Sequence, residues 1–512
     1  MVRTLFALPA GELALQAAAR AQSGLPALGN QGDLTAAQER KLGDLIVRDL
    51  YRDPDYVDDP IIGEYASGIW HRLRVAGREL GEITPDLDES FAWKLLLGRD
   101  KDVNAFALPG GYMGLLMGMV GVVSSRAELA SVMGHETGHI VQRHIARMLG
   151  EQGRQTPLMI AALLLGAVAA SRNPQAGAAI AAGGQAAIIR QQLVFSRSME
   201  QEADRVGYGL MTKAGFAPQG FVSMFEKLEA ASRLNDNGDW PFLRTHPLTS
   251  ERIADVQLRE QNIPHTKPPT DWETLLLAAR ARVLGRPGVD VLRQWAGEPD
   301  QPGFAAQSAV RQAPALYAAT LAHTELRNPT RAQALAGQLE QAMGAHPRAL
   351  HQARMLRAEL ALRADQPQQA LTILPATDPA ARGNTNPRGQ DGRALLLMRS
   401  EAQIRAGHGA DAASALQPWV SDHPTDAGAW AKLAQALQAQ GQMLRALRAE
   451  GEVQMARLDF AGAIDRWRAA QDYSRQHQSS PADLIEASIV DSRMHAAQDA
   501  LREQKREEKK WS

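Results

Sequence analysis

The sequence His-Glu-Thr-Gly-His at residues 135–139 constrains the fold of this chain more than any other stretch. On an α-helix, residues four apart lie about 40° apart around the axis, so both imidazoles can face one metal ion. Glu136 then lies to the side of the pair, where its carboxylate can act as a base on water activated by the metal. No proline interrupts residues 127–149, and apolar residues recur there at helical spacing, which predicts a helix.

The motif is short, and its specificity is limited. A chain with 13 histidines would contain it by chance in on the order of a few per cent of shuffled sequences. The alternative is a pair of solvent-facing histidines in a helical scaffold that binds no metal.

The third metal ligand decides the subclass. A metzincin would have glycine at position 142 and histidine at 145, but the chain has Gln142 and Ile145. His144 is nine residues from His135 and should point to the opposite side of the helix, so we interpret it as a surface or packing histidine. A carboxylate on a second helix, such as Glu200, is the usual alternative.

Glu200 and Asp204 form an i, i+4 pair on one predicted helical face. One of them can bind the metal while the other hydrogen-bonds to a ligand imidazole and orients it. The same segment could instead be a solvated acidic face. An apolar stripe would dock this helix on the first; it consists of Met199, Ala203, Val206 and Leu210.

The segments 104–111, 135–139, 196–204 and 245–247 together resemble the zinc peptidase family that includes HtpX and the CAAX prenyl endopeptidases. Its soluble periplasmic members with a tetratricopeptide tail are the most similar. The resemblance implies a mainly α chain, in which a gluzincin-type α+β zinc metalloprotease domain with a small sheet precedes an α-helical tetratricopeptide-like solenoid. It also implies one Zn²⁺ per chain, with three protein ligands and Glu136 as the catalytic acid/base; the ligands are His135, His139 and Glu200.

The resemblance also gives two segments outside the motif a role. An edge strand with Asn104, Ala105, Phe106 and Ala107 would lie beside the motif helix, where an extended substrate can add as another strand. The alternative is a buried hairpin closed by two glycines. His246 would lie on a loop over the zinc, as a self-inhibitory latch or as a catalytic group that stabilises the transition state; otherwise it is a loop histidine before a helix capped by Ser250.

The composition limits the kinds of molecule that the chain is expected to bind. The chain has 512 residues, 56 basic and 57 acidic side chains and no cysteine. A net charge near zero gives no nucleic-acid surface, so we expect protein partners. The lack of cysteine excludes disulfides and thiolate ligation of zinc.

The apolar segments raise the question of a membrane. Residues 1–21 read as a degraded or truncated signal segment because Glu12 interrupts the apolar run. The most apolar stretches lie within 157–189 and reach about 14 residues each, whereas a spanning helix needs about 20. We therefore expect no transmembrane span, and either a buried hairpin or a contact of 157–189 with a membrane surface. Periplasmic localisation is expected from the resemblance.

Beyond about residue 265 the sequence has the composition of a helical repeat. Gly407 and Gly441 are 34 residues apart, and Trp430 stands where a tetratricopeptide unit begins. Such repeats stack into a groove that binds peptides or proteins. We expect four segments: a signal segment at 1–21, a zinc metalloprotease domain at 22–265, a repeat domain at 266–501 and a charged tail at 502–512.

The expected function is a zinc-dependent endopeptidase that hydrolyses misfolded or stalled proteins. By resemblance, its substrates and partners would be outer-membrane beta-barrel proteins and their assembly machinery, recruited by the repeats for assembly and quality control. The alternative is a chaperone or adaptor that acts through the repeats, with a latched or structural zinc site.

Overall fold

The structure is a computed structural model that describes residues 34–151, 195–233, 240–261, 269–375, 392–477 and 480–511. The predicted signal segment at 1–21 and the apolar segment 157–189 lie outside the described residues. Among the described helices, none combines the length and apolarity that crossing a membrane requires.

The N-terminal half combines helices with one small sheet, as predicted. Its strands are β1 (Lys94–Gly98), β2 (Ala105–Leu108) and β3 (Tyr112–Leu116). Its helices are α1 (Ala36–Arg52), α2 (Pro60–Glu79), α3 (Pro85–Ser90), α4 (Met117–Val122), α5 (Arg126–Val141), α6 (His144–Glu151), α7 (Arg197–Lys213), α8 (Gln219–Arg233), α9 (Phe242–Thr245) and α10 (Ser250–Glu260).

The sheet has the strand order β1-β3-β2, so β2 is an edge strand. β1 runs parallel to β3, and β2 pairs antiparallel with β3 in the register Ala105 to Leu115. Gly110 and Gly111 turn the hairpin with φ of +73° and +80°, a region that favours glycine. A Cβ at Gly110 would also lie 2.5 Å from the backbone of Arg40. The predicted edge strand and the alternative hairpin are thus the same element.

Helix α5 carries the histidine motif and lies inside the core. Ser125 caps its N-terminus by accepting a hydrogen bond from the Glu128 amide. Glycines let α7 approach closely: a Cβ at Gly138 would lie 2.8 Å from the Ala203 carbonyl oxygen. The predicted apolar stripe of α7 is buried, and this crossing brings the acidic residues of α7 to the motif.

The motif helix is shorter than its sequence predicted. It ends at Val141, and a second helix, α6, begins at His144. Arg143, between them, is in the left-handed region with φ of +52°. Neither proline nor glycine marks this break, so helical spacing alone could not locate it.

The C-terminal half is helical, as predicted. Most consecutive helices pack on each other, and several of the turns between them contain a left-handed residue such as Gly407 or Gly441. The helices are α11 (Trp272–Leu284), α12 (Val289–Gly297), α13 (Ala309–Glu325), α14 (Pro329–Ala342), α15 (Pro347–Arg363), α16 (Pro367–Ile373), α17 (Arg393–Arg405), α18 (Gly409–Asp422), α19 (Ala427–Ala439), α20 (Met443–Ala456), α21 (Phe460–Gln476) and α22 (Pro481–Trp511).

The two halves share buried contacts. Helix α11 packs on α4, and α17 packs on α2. The apolar core around the motif helix continues into Met355 and Leu395 of the helical half. The charged tail continues α22, and its acidic residues pair with basic residues of α1; one such pair is Lys41 with Glu503, at 2.7 Å.

Candidate metal centre

Four buried side chains converge in the N-terminal half. His135 and His139 come from α5, Glu200 from the first turn of α7, and His246 from the loop that follows α9. Each offers one ligand atom, and the four atoms all lie within 4.8 Å of one another. The chain thus brings together the four residues that the sequence placed around a metal.

The distances within the cluster suit a small cation. The Nε2 atoms of His135 and His139 are 3.0 Å apart. Glu200 Oε1 lies 3.3 Å from His139 Nε2, and His246 Nδ1 lies 3.2 Å from His135 Nε2. Ligand atoms about 2.0–2.1 Å from a tetrahedral zinc are roughly 3.3 Å apart. Two histidines and one glutamate are also a donor set of catalytic zinc sites.

The outer nitrogen of His135 contacts the carboxylate of Asp204. His135 Nδ1 lies 2.9 Å from Asp204 Oδ1. Because an ionised carboxylate only accepts hydrogen bonds, Nδ1 carries the proton and Nε2 keeps its lone pair for the cluster. Arg252 donates to both oxygens of Asp204, at 2.6 and 2.8 Å, and lies 2.7 Å from Glu200 Oε2.

The outer nitrogen of His139 is held by His144. The Nδ1 atoms of the two rings are 2.8 Å apart, and His144 Nε2 lies 3.0 Å from Glu202. His144 is fully buried, so of the two roles expected for it the surface one is excluded. The expectation that it points to the opposite side of the motif helix was wrong, because that helix ends at Val141.

These contacts leave a group of lone pairs facing one another. His135 and His139 both have their outer nitrogens engaged, so their Nε2 atoms point to the same space as the Glu200 carboxylate. Buried acceptors without a donor cost about 1–3 kcal/mol each. A divalent cation removes this cost, so the residues present fit a metal ion.

Glu136 lies beside the cluster and is not part of it. Its side chain is fully buried, and neither carboxylate oxygen has a hydrogen-bond partner among the described residues. His246 Nε2 lies 3.5 Å from Glu136 Oε1. A buried carboxylate next to a metal centre has the geometry of a general base.

His246 is clamped between aromatic rings. Phe242 stacks on one face at 4.5 Å between centroids, and Phe195 stacks at 5.3 Å. The loop is also tied down by Arg252, which donates to the Pro247 carbonyl. Thr249, and not the predicted Ser250, caps the helix that follows.

Burial and charge set the protonation of the cluster in opposite directions. Burial raises the pKa of Glu136 and lowers the pKa of His139 well below its usual value. Burial also raises the pKa of Glu200, but His246 and His135 outweigh it and the net pKa is lowered. For His246 burial lowers the pKa, and the carboxylates of Glu200 and Glu136 outweigh it and raise it.

The edge strand lies next to the motif helix. Strand β2 packs on α5, and its residues Ala105 and Ala107 are buried while Phe106 is half-buried. Asn104 precedes the strand, and its side-chain oxygen is buried without a hydrogen-bond partner among the described residues. Among the described strands β2 pairs with β3 alone, and it packs on the helix that bears Glu136.

Sequence reasoning missed two contributors. Arg252 looked like an ordinary residue of the next helix, yet it pairs with both acidic residues that face the histidines. His144 was set aside on a helical register that does not extend to it. A signal for Arg252 was available, since two buried acids need a cation and Arg252 is the first arginine after the histidine segment 245–247.

The comparisons with known proteins agree with this geometry. Residues 86–260 match the model of peptidase family M48. The beta-barrel assembly-enhancing protease of Escherichia coli is 29% identical over 90% of this chain and 90% of its own length. That of Yersinia pestis is 32% identical over 53% of this chain and 54% of its own length, about half. The mitochondrial metalloendopeptidase OMA1 of Arabidopsis thaliana is 32% identical over 40% of this chain and 36% of its own length. Residues 86–260 are therefore similar to a metallopeptidase domain, and this similarity implies a metal ion.

Proposed function

From its peptidase family M48 domain and the buried His2Glu cluster, we propose that this chain is a zinc-dependent endopeptidase. One Zn²⁺ is held by His135, His139 and Glu200, whose ligand atoms lie within 4.8 Å of one another. When bound, zinc supplies Lewis-acid chemistry, polarising a carbonyl oxygen and lowering the pKa of water. The single observation that supports this proposal is the convergence of these side chains beside Glu136.

Glu136 is the catalytic acid/base. Its carboxylate takes the proton of the attacking water at one oxygen and delivers it to the nitrogen of the departing amine. Burial, which raises its pKa, suits a group that must gain and lose a proton near neutral pH. Asp204 holds His135 in the tautomer that leaves Nε2 free for the metal.

His246 acts as a self-inhibitory latch. Its ring lies 2.9 Å from Glu200 and 3.5 Å from Glu136, so it fills space that water and substrate need. We expect His246→Ala to hydrolyse an unfolded protein such as casein several-fold faster than the parent chain. A decrease would show that the ring assists catalysis instead.

The substrate binds as an added strand on β2. Its edge offers main-chain hydrogen bonds to an extended peptide, which gives affinity without strong sequence choice. The residues involved are Asn104, Ala105, Phe106 and Ala107. This mode favours unfolded or stalled chains, because a folded substrate has no free strand to add.

The names of the relatives suggest the setting. Those from Escherichia coli and Yersinia pestis are beta-barrel assembly-enhancing proteases. We propose that this chain hydrolyses misfolded or stalled outer-membrane beta-barrel proteins in the periplasm and that its repeats recruit these proteins or their assembly machinery. A contact of 157–189 with the membrane surface belongs to the same proposal.

The second candidate is a chaperone or adaptor that acts through the repeats while the zinc site stays latched. The position of His246 against Glu136 and Glu200 favours it, because a closed site hydrolyses nothing. The two candidates differ in whether Glu136 is needed for function.

Replacement of Glu136 by glutamine separates them. The amide cannot accept the proton, so we expect casein hydrolysis to fall about 100- to 10,000-fold while zinc content is unchanged. Glu226→Gln, an exposed position on α8, is the matched control and should keep full activity. Unchanged hydrolysis in Glu136→Gln would exclude the peptidase; unchanged complementation of a deletion strain would favour the adaptor.

A further inference from the structure

The two ligand histidines are supported in different ways. His135 donates directly to Asp204, whose side chain is buried. The outer nitrogen of His139 reaches a carboxylate through a second imidazole: His139 Nδ1 faces His144 Nδ1 at 2.8 Å, and His144 Nε2 faces Glu202 at 3.0 Å.

Hydrogen-bond chemistry fixes every proton in this chain of contacts. Glu202 as a carboxylate only accepts, so His144 carries its proton on Nε2 and donates there. A neutral His144 then has a lone pair on Nδ1, which accepts the Nδ1 proton of His139. His139 is left with its lone pair on Nε2, the atom that faces the metal cluster. The contacts therefore select the one neutral tautomer of His139 that can bind a metal.

We propose that His144 is a positioning residue for the zinc site. It fixes the tautomer and ring orientation of His139 and links that ring to Glu202 by hydrogen bonds. This inference rests on the proposed zinc site. Removal of a group that hydrogen-bonds to a metal-ligating histidine typically weakens metal binding by about 10- to 100-fold.

The local backbone places His144 for this role. The left-handed Arg143, with φ of +52°, ends α5 and starts α6 in a new direction, which brings the His144 ring to His139 with 4.8 Å between centroids. Phe195 packs over His139 at 3.9 Å and over His144 at 6.2 Å. Arg147 donates to Glu202 and holds the far end of the relay.

Packing alone explains these contacts less well. An imidazole that only filled space would leave a nitrogen unused, whereas both His144 nitrogens lie within 3.0 Å of a partner. The two explanations predict opposite orders for two substitutions. Leucine fills a buried site but accepts no hydrogen bond, whereas the amide oxygen of asparagine can accept near the place of Nδ1.

The test is the zinc dissociation constant of the full chain, measured by competition with a chromophoric chelator. We expect His144→Leu to bind zinc about 10- to 100-fold more weakly than the parent, with His144→Asn between the two. Glu202→Gln, at a side chain that is 28% exposed, should weaken zinc binding in the same direction by a smaller factor. His323→Leu, at a half-buried histidine of α13, is the control and should leave it unchanged.

The outcomes separate this inference from the proposed zinc site. A parent chain that binds no zinc overturns the zinc site itself. If the parent binds zinc, equal affinity in His144→Leu, or tighter binding by leucine than by asparagine, overturns the positioning role and leaves the zinc site intact. Should the leucine variant fail to fold, parent-like affinity in both His144→Asn and Glu202→Gln overturns it.

Discussion

Two buried groups of charged side chains in this molecule have opposite chemistry. The anchor between the halves is balanced in charge, with two arginines and two carboxylates. Arg280 lies 2.6 Å from both Asp59 and Glu359, and Arg363 lies 2.9 Å from Glu359. The metal centre is unbalanced, with histidine nitrogens and the Glu200 carboxylate facing one another.

Another arginine of the anchor also pairs with two carboxylates. Arg393 bonds to Asp58 and Asp426, in both cases through two nitrogens. Bidentate pairs of this kind leave few unsatisfied groups. Buried charge therefore has two roles in this molecule. At the anchor, arginines and carboxylates pair with one another and stabilise the fold, whereas the ligand atoms of the metal centre need a cation from outside the chain.

The largest expected effect on stability is at the anchor. Arg280→Met removes the cation of the buried Asp59 carboxylate and one of the two arginines that face Glu359. We expect a loss of about 3–5 kcal/mol in the free energy of unfolding. Denaturant unfolding of zinc-free protein measures it. Arg293→Met, at a side chain that is 68% exposed, is the control. Equally small losses of unfolding free energy in the two variants would contradict the stabilising role of the anchor.

The next effect comes from the metal. Zinc at 100 times its dissociation constant should stabilise the parent by about 2.7 kcal/mol. His135→Ala should lose this gain, and it also loses the hydrogen bond to Asp204, so the variant is compared with its own zinc-free state. Thermal unfolding with and without zinc measures both terms, and equal zinc stabilisation of the variant would contradict the assignment.

A smaller effect belongs to Asp204. Asp204→Asn removes the charge that orients His135, so zinc affinity should fall about 10-fold, or about 1.4 kcal/mol. Chelator competition measures it. Parent-like affinity would mean that Arg252 and the packing hold the ring without the carboxylate.

The smallest effect is at the surface contact between the chain's first and last described helices. Lys41 pairs with Glu503, and both side chains are more than 40% exposed. Lys41→Ala should therefore change the free energy of unfolding by less than about 1 kcal/mol, and less still at high salt. A loss comparable to that of Arg280→Met would break the distinction between buried and exposed pairs.

The sequence predicted the parts of the site that follow a periodic rule. The spacing of His135 and His139, and the acidic pair on α7, depend only on helical geometry, and the structure brings them together. His144 could not be predicted, because its position depends on a left-handed residue between two helices. Arg252 was missed because its partners come from a helix 48 residues earlier in the chain. Roles of these residues in catalysis stay predictions.

The general fold could be predicted for similar reasons. Helical spacing and the 34-residue repeat identified the helical C-terminal half, whereas the sharing of its core with the N-terminal half depends on tertiary contacts such as that of Leu395. The boundary predicted at 265/266 therefore says little about how independently the halves fold.

The central claim is that His135, His139 and Glu200 hold a single zinc ion. Its most direct test is the zinc content of the purified full chain, measured by elemental analysis after gel filtration, for the parent, His139→Ala, Glu200→Ala and the control His323→Leu. We expect one zinc per chain in the parent and the control, and almost none in His139→Ala and Glu200→Ala. Stoichiometric zinc in either ligand variant, or none in the parent, would contradict it.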